Sequence, residues 1–310
     1  MWVFVILLVV PIVIQHVEII GFEWDYKKKN TVSLAFFFVV LTVLIMFRHK
    51  SVGTDTRNYI HFFERWQSMS WIEIGKDSME VGFSYFNKAV SIISKESRFF
   101  LAVTAIAVSA MIYPTYRRLC ADASLTIVLF VTMSTFVMMF SGIRQMIAVG
   151  IGFVAYEFTR QKKIVPFIVC VVLAITFHTS AFMIAFMYPL YHARITKKWL
   201  YAVVPFLFVV LVFNKQIFMI LGYILERYAG YDASITKTGA YTMLILFAIF
   251  TVFAFLVPDE LLLDEETIGL RNFLLLALIL QMFAPLHTIA MRMNYYYIIF
   301  IPLLLPKIIK

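Results

Sequence analysis

An arginine and an amide interrupt one of the most apolar stretches of the sequence. Residues 139–150 read MFSGIRQMIAVG, so Arg144 and Gln145 lie among side chains as oily as lipid. An arginine at bilayer depth costs about 2.5–3.5 kcal/mol even on the lenient insertion scale. At a helix start, beside free backbone N–H groups, a guanidinium can grip phosphate oxygens in bidentate fashion. The pattern predicts either an anion site or an arginine that extends to the lipid headgroups.

Other ionisable side chains lie near the ends of apolar runs, in segments 47–60, 176–182 and 285–297. They are Arg48, His49, Asp55, Arg57, His178, His287 and Arg292. Ionisable groups within membrane spans usually line a cavity and mark a functional path. Together with residues 139–150, four segments therefore predict one shared polar site.

Three of the polar side chains are candidates for acid–base chemistry: Asp55, Glu80 and His178. Each also has a structural interpretation. Asp55 suits a turn or a helix N-cap, and Glu80 suits the first turn of a helix. His178 could be a core histidine that the hydroxyl groups of Thr179 and Ser180 satisfy. We interpret His61 and His287 as structural.

The composition is that of an integral membrane protein. Hydrophobic residues make up 62% of the 310 residues, charged residues 15%, and the mean hydropathy is +0.88. A soluble chain would carry about a quarter charged residues. The apolar runs are long enough for helices, which predicts an all-α polytopic membrane protein. The net charge of +9 is then a topology signal and not a sign of nucleic-acid binding.

Short polar segments between the apolar runs predict about eleven transmembrane helices (10–12). We expect these helices to form a single transmembrane domain over residues 1–310. The predicted spans are 2–20, 31–47, 99–116, 124–141, 145–159, 164–177, 180–192, 199–213, 240–257, 270–286 and 288–306. We expect Met1–Ile20 to be a retained span and not a signal peptide. Residues 164–192 are interpreted as two short helices that meet near His178.

The distribution of basic residues predicts that the N-terminus lies outside. About half of the Lys and Arg residues then occupy short inner connections. These are Lys27–Lys29, Arg117–Arg118, Arg160 with Lys162–Lys163, Arg194 with Lys197–Lys198, Arg271, and Lys307 with Lys310. The acidic run 259–266 becomes a solvated inner loop. Two longer connections, 48–98 and 214–239, fall outside.

The long outer loop, 48–98, carries two amphipathic patterns at helical spacing. One comprises Tyr59, Phe62, Phe63 and Trp66, and the other Phe86, Ala89, Val90 and Ile93. We expect two helices along the membrane surface that hold the polar candidates above the bundle. The two cysteines, Cys120 and Cys170, provide neither a disulfide framework nor a metal motif, so we expect no metal centre and no cofactor.

The motifs resemble those of EpsG-type membrane proteins, which group with the Wzy polymerases of bacterial surface polysaccharides. The resemblance extends from about position 47 to 306. It is carried, in order, by FRHKSVGTDTRNY, MEVGFSYF, FSGIRQMIAVGI, FHTSAF and AMRMNYYYIIFIPLLL.

This resemblance implies a glycosyltransferase of the bacterial cytoplasmic (inner) membrane whose active site faces the periplasm or exterior. The enzyme would transfer a glycan chain from polyprenyl pyrophosphate to a hydroxyl group of another lipid-linked repeat unit. The partners would be these two substrates, membrane lipid and a chain-length regulator. Since the leaving group is already a good one, the reaction needs charge neutralisation more than a general acid.

By matching positions, the resemblance assigns Arg48, Arg144 and Arg292 to the pyrophosphate, in a single outer pocket. Arg57 joins the substrate-binding group, and Gln145 would orient the arginines or contact sugar. Asp55 is the first choice for the base that accepts the hydroxyl proton, before Glu80 and His178.

Two other functions fit parts of the sequence. A transporter or flippase of lipid-linked sugars would carry charges near the bilayer midplane, often in repeated halves. The charges here concentrate at predicted outer helix ends, and no internal repeat is evident. A membrane O-acyltransferase could use His178 as its catalytic base, but it would also need an acyl-donor site.

Overall fold

The structure is a computed structural model that describes residues 2–16, 24–77, 79–224, 240–257 and 263–310. All regular elements in these ranges are helices, which confirms the predicted all-α class. The ends of the predicted span 2–20 and outer loop 214–239, and the start of the acidic run, lie outside the described residues.

The chain divides into two compact units, Met1–Ala185 with Ile309–Lys310, and Phe186–Ile308. The α-helices of the first are α1 Trp2–His16, α2 Tyr26–Phe47, α3 Thr56–Trp66, α4 Trp71–Gly75, α5 Val81–Ile93, α6 Ser97–Leu119, α7 Ala123–Thr132, α8 Ser134–Ser141, α9 Ile143–Arg160 and α10 Ile164–Phe177. The second contains α11 Met187–His192, α12 Leu200–Val212, α13 Asn214–Ile224, α14 Ala240–Leu256, α15 Glu265–Gln281, α16 Thr288–Ile298 and α17 Ile301–Ile309. The expectation of a single domain stays a prediction.

Two described helices, α2 and α6, are by themselves long and apolar enough to cross a membrane. Three bent pairs raise the number to five if each pair forms one span: α7 with α8 at 60°, α12 with α13 at 78°, and α16 with α17 at 45°. The predicted span 288–306 is thus broken near Phe300, and helix α13 occupies the start of the predicted loop 214–239. A polytopic membrane protein fits these helices, while the number eleven stays a prediction.

Aromatic packing joins α2, α6, α7 and α9 in the first unit. The Tyr116 ring lies 5.4 Å from Phe38, 5.7 Å from Phe130 and 5.8 Å from Phe153, measured between ring centroids. Lipid is as apolar as these side chains, so close van der Waals packing, rather than exclusion of water, selects this arrangement. The packing fixes the direction of α9, which begins at the candidate site.

The segment 48–98 forms α3, α4 and α5. On α3 the predicted apolar face is correct, because Tyr59, Phe63 and Trp66 are buried. Phe63 stacks on Phe100 at 4.9 Å, which attaches α3 to α6.

On α5 the predicted face is displaced. Ala89 is exposed and Ile93 is 75% exposed, while Phe83, Asn87 and Val90 are buried. Both faces of α5 carry apolar residues, so spacing alone did not identify the one that packs on the protein. Its position outside the membrane stays a prediction.

A tight approach places the start of α3 against the end of α8. Gly53 has a φ of +89°, and a Cβ atom there would lie 2.1 Å from the carbonyl oxygen of Phe140. Only glycine tolerates both conditions. The Thr56 hydroxyl donates to the same carbonyl at 3.1 Å, and the Thr54 N–H donates to Ser141 Oγ at 3.4 Å. Asp55 is thereby held near the junction of α8 and α9.

The break near His178 lies where the sequence predicts it. Helix α10 ends at Phe177, and His178 has an extended backbone conformation. The following helix, Thr179–Phe186, is of the 3-10 type and not the α-helix expected for 180–192. Of its first two residues, Thr179 hydrogen-bonds to Glu80 and Ser180 to the ring of His178.

In the second unit, Arg271 is buried rather than in an inner connection as predicted. It belongs to α15, is 1% exposed and donates to the carbonyl of Ile195 at 2.7 Å. Its guanidinium carbon lies 4.3 Å from the centre of the Phe255 ring. The prediction from basic residues considers only their positions along the sequence. It therefore does not include partners inside the protein.

Candidate functional site

An ion pair between Arg144 and Glu80 joins two segments of the first unit. Arg144 is in the first turn of α9, and Glu80 is the N-cap residue of α5. Arg144 Nη1 donates to Glu80 Oε2, and the two side chains are only 17% and 15% exposed. Since both are largely removed from solvent, the pair is stronger than one on a protein surface.

Apolar and aromatic groups surround the guanidinium of Arg144. Its central carbon lies 5.7 Å from the ring centre of Tyr59 and 6.0 Å from that of Phe83. Nη1 also approaches the sulfur of Met79 at 3.2 Å. The rings favour the cation and exclude water from it. Arg144 is therefore fixed in place and not free to extend to lipid headgroups.

A third segment contributes hydrogen bonds to the same carboxylate. The N–H and the hydroxyl of Thr179 donate to Glu80 Oε1 at 3.3 and 3.1 Å. Burial alone raises the pKa of Glu80 and is the largest influence. The positive charge of Arg144 and the hydrogen bonds from backbone N–H groups act against burial, and the pKa of Glu80 lies below its usual range. Glu80 is an ionised carboxylate with both oxygens engaged, which makes it a weak proton acceptor.

A glycine allows the close approach of α5 to the end of α10. A Cβ atom at Gly82 would lie 2.2 Å from the hydroxyl oxygen and 2.9 Å from the carbonyl oxygen of Thr176. The hydroxyl could rotate away but the carbonyl could not. The absence of a side chain at position 82 thus permits Glu80 to reach Thr179.

The hydrogen bonds of His178 identify its tautomer. The ring is buried, and its Nδ1 lies 2.7 Å from the Ser180 hydroxyl and 3.3 Å from the Ser180 backbone nitrogen. A backbone N–H can only donate, so Nδ1 is an acceptor and the ring proton is on Nε2. In this state His178 can donate a hydrogen bond from Nε2 but cannot accept a proton there.

Asp55 differs from the other two acid–base candidates because its carboxylate is uncommitted. It occupies the N-cap position of α3 but makes no capping hydrogen bond, and it is partly exposed. No described residue pairs with its side chain. Asp55 precedes Tyr59 by one helical turn, so the two lie on the same side of α3.

Arg48 and Arg57 line a separate cavity of about 670 Å³ whose described lining does not include Arg144. Gln145, beside Arg144 on α9, is 1% exposed. Arg292 is exposed on α16, in the second unit. The meeting of three arginines in one pocket therefore stays a prediction.

Some residues of these two sites were not selected from the sequence. The sequence pattern indicates only an apolar face for Tyr59 and a structural role for His61. Arg57, His61 and Glu64 follow i, i+4, i+7 spacing, which would have indicated a shared polar face on α3. Met79 carries no chemical signal in the sequence. Among the described residues, no group of three His, Cys, Asp or Glu side chains is arranged to hold a metal ion.

The ion pair predicts a pH-dependent contribution to stability. Because the pKa of Glu80 is lower in the folded state, the contribution is complete above its unfolded value, about 4.3, and disappears as pH falls through the folded value. Glu80→Gln leaves Arg144 buried without its counter-ion, which we expect to cost about 3 kcal/mol at pH 7. Melting temperatures of the purified protein in detergent at pH 7 and pH 3.5 measure this.

The difference between wild type and Glu80→Gln should shrink at pH 3.5. The matched control is Glu96→Gln, an exposed N-cap glutamate of α6 whose side chain makes no capping bond. This control should shift the melting temperature little. An equal deficit for Glu80→Gln at both pH values would show that charge is not what stabilises the position.

Comparison with known proteins identifies the family of this chain. The sequence model of the EpsG family matches residues 31–310. This range is nine-tenths of the chain and includes every candidate residue. Neither the curated proteins nor the solved structures contain a match. The family comprises membrane proteins similar to Wzy-type and exopolysaccharide polymerases. With helices suited to a membrane and a match over most of its length, this chain belongs to the EpsG family.

Proposed function

We propose that the protein is a polysaccharide polymerase at the outer face of the bacterial cytoplasmic membrane. It transfers an oligosaccharide from polyprenyl pyrophosphate to a hydroxyl group of another lipid-linked repeat unit. Membership of the EpsG family supports a polymerase-like function. The observation that carries the mechanism is the arginine that Glu80 holds at the start of α9.

The proposed reaction exchanges one C–O bond for another and moves one proton. The acceptor hydroxyl oxygen attacks the anomeric carbon of the donor sugar, and the bond from that carbon to the diphosphate oxygen breaks. Its electron pair leaves with the polyprenyl diphosphate, while the hydroxyl proton passes to a carboxylate. The protein must stabilise the negative charge that develops on the leaving group.

Arg144 is the proposed partner of the leaving diphosphate. Its Nη1 is engaged by Glu80, but its buried Nε has no hydrogen-bond partner among the described residues. A donor that is fixed in position and still unsatisfied suits an incoming phosphate oxygen. Glu80 then acts as a positioning residue, which aims the guanidinium and prevents it from rotating.

Asp55 is the proposed base. Of the three candidates, only its carboxylate is uncommitted among the described residues, since Glu80 is bonded to Arg144 and Thr179. His178 supplies the Nε2–H as a donor to phosphate or sugar. That tautomer also argues against an acyltransferase in which His178 serves as the base.

The remaining candidates have supporting roles in this proposal. Gln145 orients Arg144 from the same turn of α9. The polyprenyl chains lie against the apolar helices, and a separate protein regulates chain length.

Replacing Arg144 tests the diphosphate assignment. Arg144→Lys retains the charge but loses the planar fork, so we expect polymer formation to fall about 100-fold with a normal amount of folded protein. The assay supplies purified protein in detergent with its lipid-linked repeat unit, without nucleotide or acyl-CoA. Wild type should produce a ladder of glycans on lipid.

Arg160→Lys is the matched control because Arg160 also pairs with a glutamate, Glu157, at the opposite end of α9. It should leave the ladder unchanged. A normal ladder from Arg144→Lys would refute the role of Arg144. No ladder from wild type, with transport of the intact lipid-linked repeat across vesicles instead, would favour the flippase alternative over the polymerase.

Replacing Asp55 tests the base. Asp55→Asn removes a proton acceptor without removing a helix cap, so polymer formation should fall by about 10²–10⁴-fold while the melting temperature stays constant. Asp25→Asn is the control, since Asp25 caps α2 through the Lys28 N–H and asparagine caps equally well. Polymer formation by Asp55→Asn at the wild-type rate would exclude Asp55 as the base.

A further inference from the structure

A strongly basic cavity lies beside α3, apart from the Arg144 site. Its volume is about 670 Å³, within the range of ligand pockets. Six basic side chains line it: Arg48, His49, Lys50, Arg57, His61 and Arg98. The one acidic side chain among the described lining residues is Glu64. Such an excess of positive charge favours an anionic ligand.

Arg48 provides an independent indication of a ligand. It is the C-cap residue of α2, it is 8% exposed, and none of its three guanidinium nitrogens has a hydrogen-bond partner among the described residues. The helix dipole of α2 favours a cation at this end but supplies no full counter-charge. A buried guanidinium without a counter-charge destabilises the fold. A diphosphate in the cavity would offer these nitrogens the oxygen acceptors that they lack.

His49 adds a donor to the cavity. Its Nδ1 lies 2.8 Å from the Ser51 hydroxyl and accepts from the Ser51 N–H at 3.3 Å. The ring proton is therefore on Nε2, as in His178. Neutral or charged, His49 offers an N–H group to an anion.

Helix α3 separates this cavity from Arg144. Arg57, Ile60 and His61 line the cavity, whereas Tyr59 packs against Arg144 on another side of the helix. A helix with its side chains is about 10 Å across. Two anions can therefore be bound at the same time, one on each side of α3.

A separate apolar groove lies between α2 and α6, the helices that also contribute Arg48 and Leu101 to the cavity. Val39 and Val43 of α2 and Ile106 and Ala110 of α6 line this groove, whose volume is about 340 Å³. These positions are five to nine residues from Arg48 at the end of α2 and from Leu101 on α6, which is about 8–14 Å along a helix. The groove side chains are exposed and suit a hydrocarbon chain.

We propose that the cavity and groove together bind a second lipid-linked diphosphate, with the diphosphate on Arg48 and the isoprenoid tail between α2 and α6. This inference rests on the proposed function and extends it, because it assigns the acceptor substrate to this site and the donor to Arg144. Holding both lipids across one helix would bring the acceptor hydroxyl and the donor sugar together.

The probe is radiolabelled farnesyl diphosphate, bound to the purified full-length protein in neutral detergent. Wild type should bind two molecules per chain, and Arg48→Gln and Arg144→Gln one each. Arg48→Gln should also be more stable, because it removes a buried charge without a counter-ion. The control Arg117→Gln alters an exposed cation in another basic cavity and should still bind two. Unchanged binding by Arg48→Gln would overturn the proposal.

Two further variants separate the diphosphate from the tail. Arg98→Gln, at an exposed position of the lining, should weaken farnesyl diphosphate and inorganic pyrophosphate at this site by about 10-fold each. Ala110→Phe fills the groove and should weaken farnesyl diphosphate alone. Displacement of farnesyl diphosphate by phosphatidylglycerol as effectively as by pyrophosphate would overturn the proposal, since the site would then be a phospholipid site.

The outcomes also distinguish this site from the proposed function. Arg48-dependent binding without any glycan ladder would preserve the site and contradict the polymerase. A normal ladder with binding that does not depend on Arg48 would preserve the polymerase and contradict the site.

Discussion

The ion pair between Glu80 and Arg144 is the interaction on which the rest of the site depends. It joins the start of α5 to the start of α9, and Thr179 adds the segment after α10. A buried pair repays its desolvation only when further hydrogen bonds satisfy the charges. Here the carboxylate is fully satisfied and the guanidinium is not, because Arg144 Nε has no described partner. The unsatisfied side of the pair is the side proposed to face the substrate.

The second constraint is the position of α3 between two cationic sites, Arg144 and the cavity around Arg48. One side of the helix presents Tyr59 to Arg144, and another presents Arg57 and His61 to the cavity around Arg48. Gly53 fixes the start of α3 against the Phe140 carbonyl, so the helix cannot move away without losing that contact. A transfer between two lipid-linked molecules requires two anionic groups to be held apart and their sugars together. The proposed acceptor site and the proposed donor site would lie on different sides of α3.

Much of the helical architecture was predictable because composition and apolar periodicity reflect the membrane directly. The break at His178 and the buried face of α3 followed from local sequence. The pairing of Glu80 with Arg144 did not, because 64 residues separate them and sequence contains no distance. The tautomer of His178 depends on the turn into the 3-10 helix, which the sequence does not define. The orientation of α5 depends on which of its two apolar faces packs on the protein. Motif order suggests Arg48 and Arg144 as binding residues, but it carries no information on which of them share a cavity, and the described lining of the Arg48 cavity does not include Arg144.

Exchanging the two charges tests most directly whether Arg144 is held by Glu80 in order to face a substrate. The double variant Glu80→Arg with Arg144→Glu restores an attractive pair with its polarity reversed. The account predicts that it melts well above either single variant, which leaves like charges side by side, and yet produces no glycan ladder from the lipid-linked repeat. A ladder of wild-type amount from the exchanged protein would contradict the account, because a carboxylate at position 144 would repel the departing diphosphate.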